Sequence, residues 1–264
     1  MTDVDYVVLD PTGNLTALVF SPVPEELKPV ITRALLRESE QVAYLSPGEP
    51  PSLHLMGGEF CGNAAMATAA WLLRDRLSVG EETTLRLRVS GATEPVNCRV
   101  KRFEDDFRGT VWMPPVLRIR EISFEGRPLT AVWMEGILHL IDPGAYLEKR
   151  AAEEFLLRFA RDRSNDAADA IGLLQWDRAA GSLRPLVWVR GSDSLVWENG
   201  CGSGSAAVGV AEALSRGDGL RTVSVAQPGG VIDVTAEVLE GRVCSVSITG
   251  RVRLGPAQKK VFEI

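Results

Sequence analysis

The stretch EFCGNAAMATAAWLL, residues 59–73, decides the fold, because its arrangement returns in ENGCGSGSAAVGVAEAL, residues 198–214. Each stretch places a Cys-Gly pair directly before a run of small and helix-forming residues. The two pairs lie about half the chain apart, which is too far for a solenoid repeat. The sequence therefore predicts a duplication in which each cysteine stands at the start of a helix.

Strand-like segments surround both predicted helices. TTLRLRVS (83–90) and VNCRVKRF (96–103) alternate with the period of two that is typical of half-buried strands. From about residue 119 the order starts again, with strands in AVWMEGILHLID (131–142) and a charged helix in AYLEKRAAEEFLLRFARDR (145–163). We therefore expect an α+β fold of two similar halves, residues 1–118 and 119–251.

Composition favours an ordinary globular protein and gives no sign of a polyanionic partner. The 264 residues are 45% hydrophobic and 24% charged, with a net charge of -6 and no cluster of basic residues. This balance argues against nucleic-acid binding. The N-terminus MTDVDYVVLD does not read as a signal peptide, and no apolar run reaches the roughly 18 residues of a membrane span. We expect a cytoplasmic protein that does not contact membranes.

The four cysteines, Cys61, Cys98, Cys201 and Cys244, are far apart and form no C-x-x-C pair. With only two histidines in the chain, a zinc site is not predicted, and we expect no metal. The cysteine-poor composition also disfavours a disulfide framework, so reduced thiols are expected. Cys98 and Cys244 lie inside strand patterns and are expected to be small core residues.

A cysteine at a helix start lies near unpaired backbone N–H groups and the positive end of the helix dipole. These conditions can lower a thiol pKa from about 8.5 to about 3.5–7.5. The N–H groups of Gly62 and Asn63, and of Gly202 and Ser203, would form two cradles for a carboxylate. A single motif of this kind is more often structural, but the pairing of two favours a function.

Two thiols that face each other across one cleft suit an amino-acid racemase. One thiolate would remove the α-proton and the opposite thiol would deliver a proton to the other face, while the helix N–H groups stabilise the developing carboxylate charge. Glu198 would bind the substrate ammonium, although alone it reads as a solvated carboxylate or a helix-cap partner. His54 and His139 lie on apolar strands and could be core residues or line the pocket.

No cofactor is predicted. A pyridoxal phosphate racemase needs a Schiff-base lysine and a phosphate cup, and none of the five lysines has such surroundings. The segment CGSGSAAVG, residues 201–209, lacks the strand and the G-x-G-x-x-G frame of a nucleotide loop.

The motifs resemble those of the diaminopimelate epimerase superfamily, and are closest to those of the histidine racemases that make D-histidine for staphylopine-type metallophores. The resemblance rests on PTGNLTALV, GGEFCGNA, VSG (89–91), LVWENGCGSG and AQPGG, in this order between residues 11 and 230. It implies that each half is a curved, mostly antiparallel sheet or barrel around a central helix, with strand 252–264 returning to the first half. It also implies a homodimer.

The resemblance assigns roles to individual positions. Cys61 and Cys201 match the catalytic pair of the superfamily. The positions implied to touch the amino-acid substrate are Asn14, Gly62, Asn63, Glu198, Gly202 and Ser203, with His54 as a further candidate.

One departure from the diaminopimelate epimerases bears on the substrate. Those enzymes have an arginine after the glutamate of the second motif, where this chain has Asn199, and their distal amides fall near His54, Ile137 and Ala170. A distal carboxylate buried there would stay unpaired, at a cost of several kcal/mol. A single α-amino acid fits better, and histidine is implied by the resemblance alone. Diaminopimelate, another amino acid, and an amino-acid-binding protein without turnover stay open as alternatives.

Overall fold

The computed structural model describes residues 2–162, 168–191 and 193–262. The chain divides into two compact units, Met1–Trp112 with Thr249–Ile264, and Met113–Ile248. The division into halves expected from the sequence, 1–118 completed by 252–264 and 119–251, stays a prediction.

The first unit contains most of the N-terminal half of the chain. Its helices are a 3-10 turn (Glu25–Leu27), α1 (Lys28–Leu35) and α2 (Gly62–Leu73). Its strands are β1 (Thr2–Pro11), β2 (Thr16–Val19), β3 (Gln41–Ser46), β4 (Ser52–Leu55), β5 (Glu82–Val89), β6 (Val96–Arg102) and β7 (Phe107–Trp112). The last strand of the chain, β16 (Arg242–Phe262), belongs to this unit from Thr249 onwards.

The strands of the first unit close on themselves around α2. Their order is β1-β2-β3-β4-β5-β6-β7-β16, and β16 pairs with β1 from Thr2↔Phe262 to Pro11↔Val252. The β2–β3 and β4–β5 pairs are parallel. Helix α2 contacts β1, β2, β5, β6 and β7, and nearly all its side chains are buried. A helix buried on nearly every face needs small and mostly apolar side chains, which explains the run of alanines.

The second unit has a similar order of elements, with one more strand before each helix. Its helices are α3 (Lys149–Asp162) and α4 (Gly202–Ser215). Its strands are β8 (Arg118–Phe124), β9 (Arg127–Met134), β10 (Ile137–Asp142), β11 (Ala170–Asp177), β12 (Ser182–Val189), β13 (Ser194–Trp197), β14 (Gly219–Gln227), β15 (Gly230–Leu239) and the beginning of β16.

The strand order of the second unit is β16-β15-β14-β12-β11-β10-β9-β8, with β13 added beside β12. Helix α4 contacts β10, β11, β14 and β15, and most of its small side chains are buried. Helix α3 is amphipathic and packs Phe155 and Phe159 against a cluster that includes Leu173 and Leu186. Each unit therefore presents the start of one buried helix, and the α+β fold predicted from the sequence is confirmed.

The predictions that Cys98 and Cys244 are core residues have different outcomes. Cys98 is fully buried, as predicted, and burial raises the pKa of its thiol to about 12. Cys244 is exposed, so its assignment to the core is wrong. It shares a strand face with the buried Val246, but it is the third residue of β16, directly after the turn at Glu240 and Gly241, where this face is open to solvent.

The charged helix predicted over 145–163 begins later, at Lys149, and its last predicted position, 163, lies outside the described residues. In the described ranges, no helix has both the length and the apolar character that crossing a membrane requires.

Candidate active site

Cys61 is the N-cap of α2. Its backbone is extended, with φ -131° and ψ 110°, and its carbonyl oxygen accepts the first helical hydrogen bond, from the N–H of Ala65 over 3.0 Å. Its sulfur accepts a hydrogen bond from the N–H of Ala64 over 3.4 Å. The sulfur therefore takes the place of a serine or aspartate oxygen in an ordinary helix cap, at the positive end of the dipole.

The amide of Gln41 is a second donor to the Cys61 sulfur. Gln41 begins β3, and its Nε2 lies 3.3 Å from Cys61 Sγ, 2.5 Å from Asn14 Oδ1 and 2.8 Å from Thr16 Oγ1. Asn14 in turn donates from Nδ2 to Glu40 Oε2 over 3.1 Å. Asn14 and Cys61, both singled out from the sequence, are thus joined through a glutamine that the sequence analysis missed.

The other candidates of the first unit are near α2 or on β4. Gly62 and Asn63 are the first two residues of α2, and both are buried. His54 lies on β4 between the buried Leu53 and Leu55, and its own side chain is exposed. The alternation of the strand thus directs His54 away from the core that its neighbours enter.

Cys201 is the N-cap of α4 and has the same local geometry. Its φ and ψ are -104° and 106°, and its sulfur accepts a hydrogen bond from the N–H of Gly204 over 3.3 Å. A Cβ on Gly204 would lie 2.9 Å from this sulfur and 2.8 Å from Leu174 Cδ2, so only glycine fits here. Unlike Cys61, Cys201 is buried, with 3% of its surface exposed.

The pKa of the Cys201 thiol is raised well above its ordinary value, which corrects the expectation of a lowered pKa at this helix start. Burial is the largest cause, because it disfavours the charged thiolate. The carboxylate of Glu198 raises the pKa further through its negative charge and a hydrogen bond, while the Gly204 N–H and the Ser203 hydroxyl lower it. The N–H at the helix start lowers the pKa, as expected, but this effect is smaller than the increase caused by burial and by Glu198.

Ser203 connects Cys201 to a buried histidine. Ser203 Oγ lies 3.7 Å from Cys201 Sγ and 2.9 Å from His139 Nε2. His139 is fully buried, and burial lowers its pKa to about 3, so the ring is neutral at pH 7. A Cβ on Gly172 would lie 2.4 Å from His139 Nδ1, so the glycine leaves the space that the ring fills.

The two thiols therefore differ in what surrounds them. Cys61 is partly exposed, and its sulfur accepts hydrogen bonds from a backbone N–H and from the Gln41 amide. Both hydrogen bonds favour a thiolate. Cys201 is buried beside Glu198, an acceptor that favours the protonated thiol. Considered separately, the first cysteine is suited to accept a proton and the second to donate one.

Two polar residues of these sites carry a signal in the sequence, although only His139 is singled out there. Gln41 is a polar residue at the start of QVAYL, a run that is otherwise apolar and reads as a buried strand. His139 is flanked by Leu138 and Leu140 and faces Gly172 on the neighbouring strand. A lone polar side chain in a buried strand needs a partner, and this requirement is the signal.

Comparison with known protein families places the chain near enzymes that racemise amino acids. The family model described as "Histidine racemase CntK N-terminal domain" matches residues 3–262. A histidine racemase of Fusobacterium nucleatum subsp. nucleatum is 28% identical, with 88% of this chain and 89% of that protein covered. A histidine racemase of Staphylococcus aureus is 27% identical, with 98% of each chain covered.

Solved structures with the same fold include two enzymes from Agrobacterium species. A probable proline racemase from Agrobacterium radiobacter has a TM-score of 0.71 and 14% sequence identity, covering 98% of this chain and 93% of that one. A hydroxyproline epimerase from Agrobacterium vitis has a TM-score of 0.72 and 13% identity, covering 98% and 91%. At these identities the likeness establishes the fold.

Proposed function

Because the chain belongs to the CntK histidine racemase family, we propose that it interconverts L- and D-histidine without a cofactor, with Cys61 and Cys201 as the acid–base pair. The observation that carries this proposal is that both cysteines cap buried helices and bind a helix N–H through sulfur. The chain is an amino-acid racemase, as are its relatives.

The proposed reaction moves one proton off the α-carbon and another onto its opposite face. A thiolate takes the α-proton to form an S–H bond, and the electron pair of the broken C–H bond spreads into the carboxylate as an enediolate-like species. The second thiol then gives its proton to the carbon and becomes the thiolate. One thiol and one thiolate are present before and after, and proton exchange with solvent returns the enzyme to its starting form before the next molecule of the same enantiomer reacts.

The surroundings of the sulfurs support an assignment for the resting enzyme. The donors to Cys61, the Gln41 amide and the Ala64 N–H, favour the thiolate there. The raised pKa of Cys201 favours the thiol. In the resting state Cys61 is then the base and Cys201 is the acid, and this assignment reverses after each turnover.

The substrate would be held by its α-carboxylate and α-ammonium groups. Helix starts at Gly62–Asn63 and Gly202–Ser203 offer N–H groups that stabilise charge on the carboxylate as it develops in the transition state. Asn14 and Glu198 supply oxygen acceptors suited to the ammonium. Because no arginine stands at position 199, a second carboxylate as in diaminopimelate would lack a partner.

The finer assignments rest on the family resemblance. The proposed enzyme acts in the cytoplasm as a homodimer and supplies D-histidine for an opine-type metallophore. Its partner is the small amino-acid substrate rather than a nucleic acid or a membrane.

A screen of L-amino acids by chiral chromatography tests the proposed function. Purified protein should convert L-histidine to a mixture of enantiomers and should leave diaminopimelate unchanged. Racemisation of a different amino acid would reject the substrate assignment but keep the reaction class. Binding of histidine without any change of configuration would instead favour an amino-acid-binding protein.

A further inference from the structure

Gln227, the last residue of β14, closes a ring of hydrogen bonds on the backbone of Cys201. The N–H of Cys201 donates to Gln227 Oε1 over 2.7 Å. Gln227 Nε2 donates to Ser205 Oγ over 2.8 Å, and Ser205 Oγ donates to the carbonyl oxygen of Cys201 over 2.7 Å. One glutamine–serine pair therefore holds both the N–H and the carbonyl of the cysteine.

The ring is shielded from water. Ser205 is fully buried, and Gln227 exposes 9% of its surface. The Ser205 hydroxyl accepts from the amide and donates to the carbonyl, so the direction of each bond in the ring is fixed. Removing the amide would leave a buried Cys201 N–H without its acceptor, and the loop would have to move to satisfy it.

The turn that follows β14 holds the same loop at a second point. The N–H of Gly229 donates to the carbonyl oxygen of Asn199 over 2.8 Å. Residue 201 is thus attached to the end of β14 and residue 199 to the turn that follows it, and Glu198 directly precedes the attached segment. The position of the Cys201 thiol relative to Glu198 depends on these two attachments.

The first unit holds its cysteine loop in the corresponding place by a different contact. Ser90, in the turn after β5, donates from Oγ to the carbonyl oxygen of Glu59 over 2.9 Å. Gly91 has a φ of +73°, and a Cβ there would lie 2.3 Å from the backbone nitrogen of Phe60. The first unit thus uses a short serine side chain and a close backbone approach before Cys61, whereas the second unit uses the longer amide side chain.

We infer that Gln227 is a positioning residue of the racemase, whose side-chain amide fixes the backbone of Cys201 and thereby the direction in which its thiol transfers a proton. This inference rests on the proposed function of Cys201. Gln227 does not itself touch the sulfur in any described contact, so its effect passes through the cysteine backbone.

The test replaces Gln227 with methionine, which keeps the volume and removes both hydrogen bonds. Displacement of a catalytic group by about 1 Å can cost about 100-fold in rate. Racemisation by Gln227→Met should accordingly lose about 100-fold in kcat, while KM stays within about threefold of the wild type. Alkylation of Cys201 by iodoacetamide, followed by peptide mass spectrometry at pH 8, should become at least about tenfold faster, because the thiol becomes exposed and separates from Glu198.

The internal control is Cys61 in the same molecule, whose alkylation rate should not change. Gln258→Met, the same replacement at an exposed position, should leave both rates and kcat at the wild-type values. Ser205→Ala should raise Cys201 alkylation in the same way, and the double variant should show less than the sum of the two effects.

An unchanged alkylation rate at Cys201 in Gln227→Met, or an equal increase at Cys61, would overturn the inference. The alkylation assay needs no turnover, so it still tests Gln227 if the wild-type protein racemises no amino acid and the proposed function fails. Thermal unfolding of each variant confirms that the comparison is made on folded protein.

Discussion

The side-chain amide of Gln41 donates a hydrogen bond to the sulfur of Cys61 over 3.3 Å. Cys201 has the opposite kind of neighbour, since the carboxylate of Glu198 accepts a hydrogen bond from its thiol. A donor favours the thiolate and an acceptor favours the thiol. The two cysteines therefore share a helix-cap geometry, but their neighbours favour opposite protonation states.

Replacing Gln41 with leucine should slow the chemistry of Cys61. A hydrogen bond to a charged group contributes about 1.5–3 kcal/mol, and about 1.4 kcal/mol changes a protonation equilibrium tenfold. Alkylation of Cys61 by iodoacetamide at pH 7 should therefore be about tenfold slower in Gln41→Leu, and kcat should fall with it. Gln258→Leu is the exposed control. Wild-type alkylation of Cys61 in Gln41→Leu would contradict a role for the amide.

Replacing Glu198 with glutamine should lower the pKa of Cys201. The variant removes the negative charge beside the thiol, while burial, the larger cause, keeps the pKa above its ordinary value. The pH midpoint for alkylation of Cys201 should move down, and kcat/KM should fall because the proposed ammonium site loses its charge. A midpoint that stays in place or rises would show that Glu198 does not control the thiol.

Each proposed catalytic cysteine should be indispensable. Cys61→Ser and Cys201→Ser should each lose at least about 100-fold in racemisation rate, since general acid–base catalysis supplies about 10²–10⁴-fold. Cys244→Ser is the matched control, because this cysteine is exposed on β16 and should tolerate the change. Full activity of Cys201→Ser would rule out a two-thiol mechanism.

The local motifs could be predicted from the sequence because their partners are close along the chain. Cys61 and Cys201 were expected at helix starts, and both are N-caps whose sulfurs bind the N–H three residues on. Gln41 and Gln227 were missed, since their partners lie 20 and 26 residues away and meet them only through strand pairing.

The protonation of the thiols could not be predicted for a related reason. The dipole of a helix start is visible in sequence, whereas the burial that raises the Cys201 pKa is created by strands packing around α4. Cys244 shows the same limit in strands. The alternation of apolar and polar residues indicates which side chains share a strand face. It does not indicate at which residue of the strand that face becomes exposed to solvent.

His139 should make stability depend on pH. Its folded pKa of about 3 lies below the ordinary value of 6.5, so between these values the unfolded chain binds a proton that the folded protein cannot. Above pH 6.5, His139 makes its full contribution to the free energy of unfolding. Below pH 6.5, this contribution falls by about 1.4 kcal/mol per pH unit. The stability gap between wild type and His139→Asn should shrink by about 2 kcal/mol from pH 7 to pH 5.

Denaturant unfolding at both pH values measures this gap. Thr84→Asn, at an exposed position on β5 and without a change of titratable groups, is the control and should keep a constant difference from wild type. A gap for His139→Asn that does not change with pH would show that the buried ring takes up a proton in the folded state.

The most direct test of the two-thiol account is the isotope content of the first product formed in deuterium oxide. L-Histidine is incubated with the protein, and both enantiomers are separated by chiral chromatography and analysed by mass spectrometry at early times. The account predicts that every D-histidine molecule carries deuterium at the α-carbon, while the remaining L-histidine still carries protium. D-Histidine that retains the original α-proton would contradict it, because a single group would then have carried one proton between the two faces.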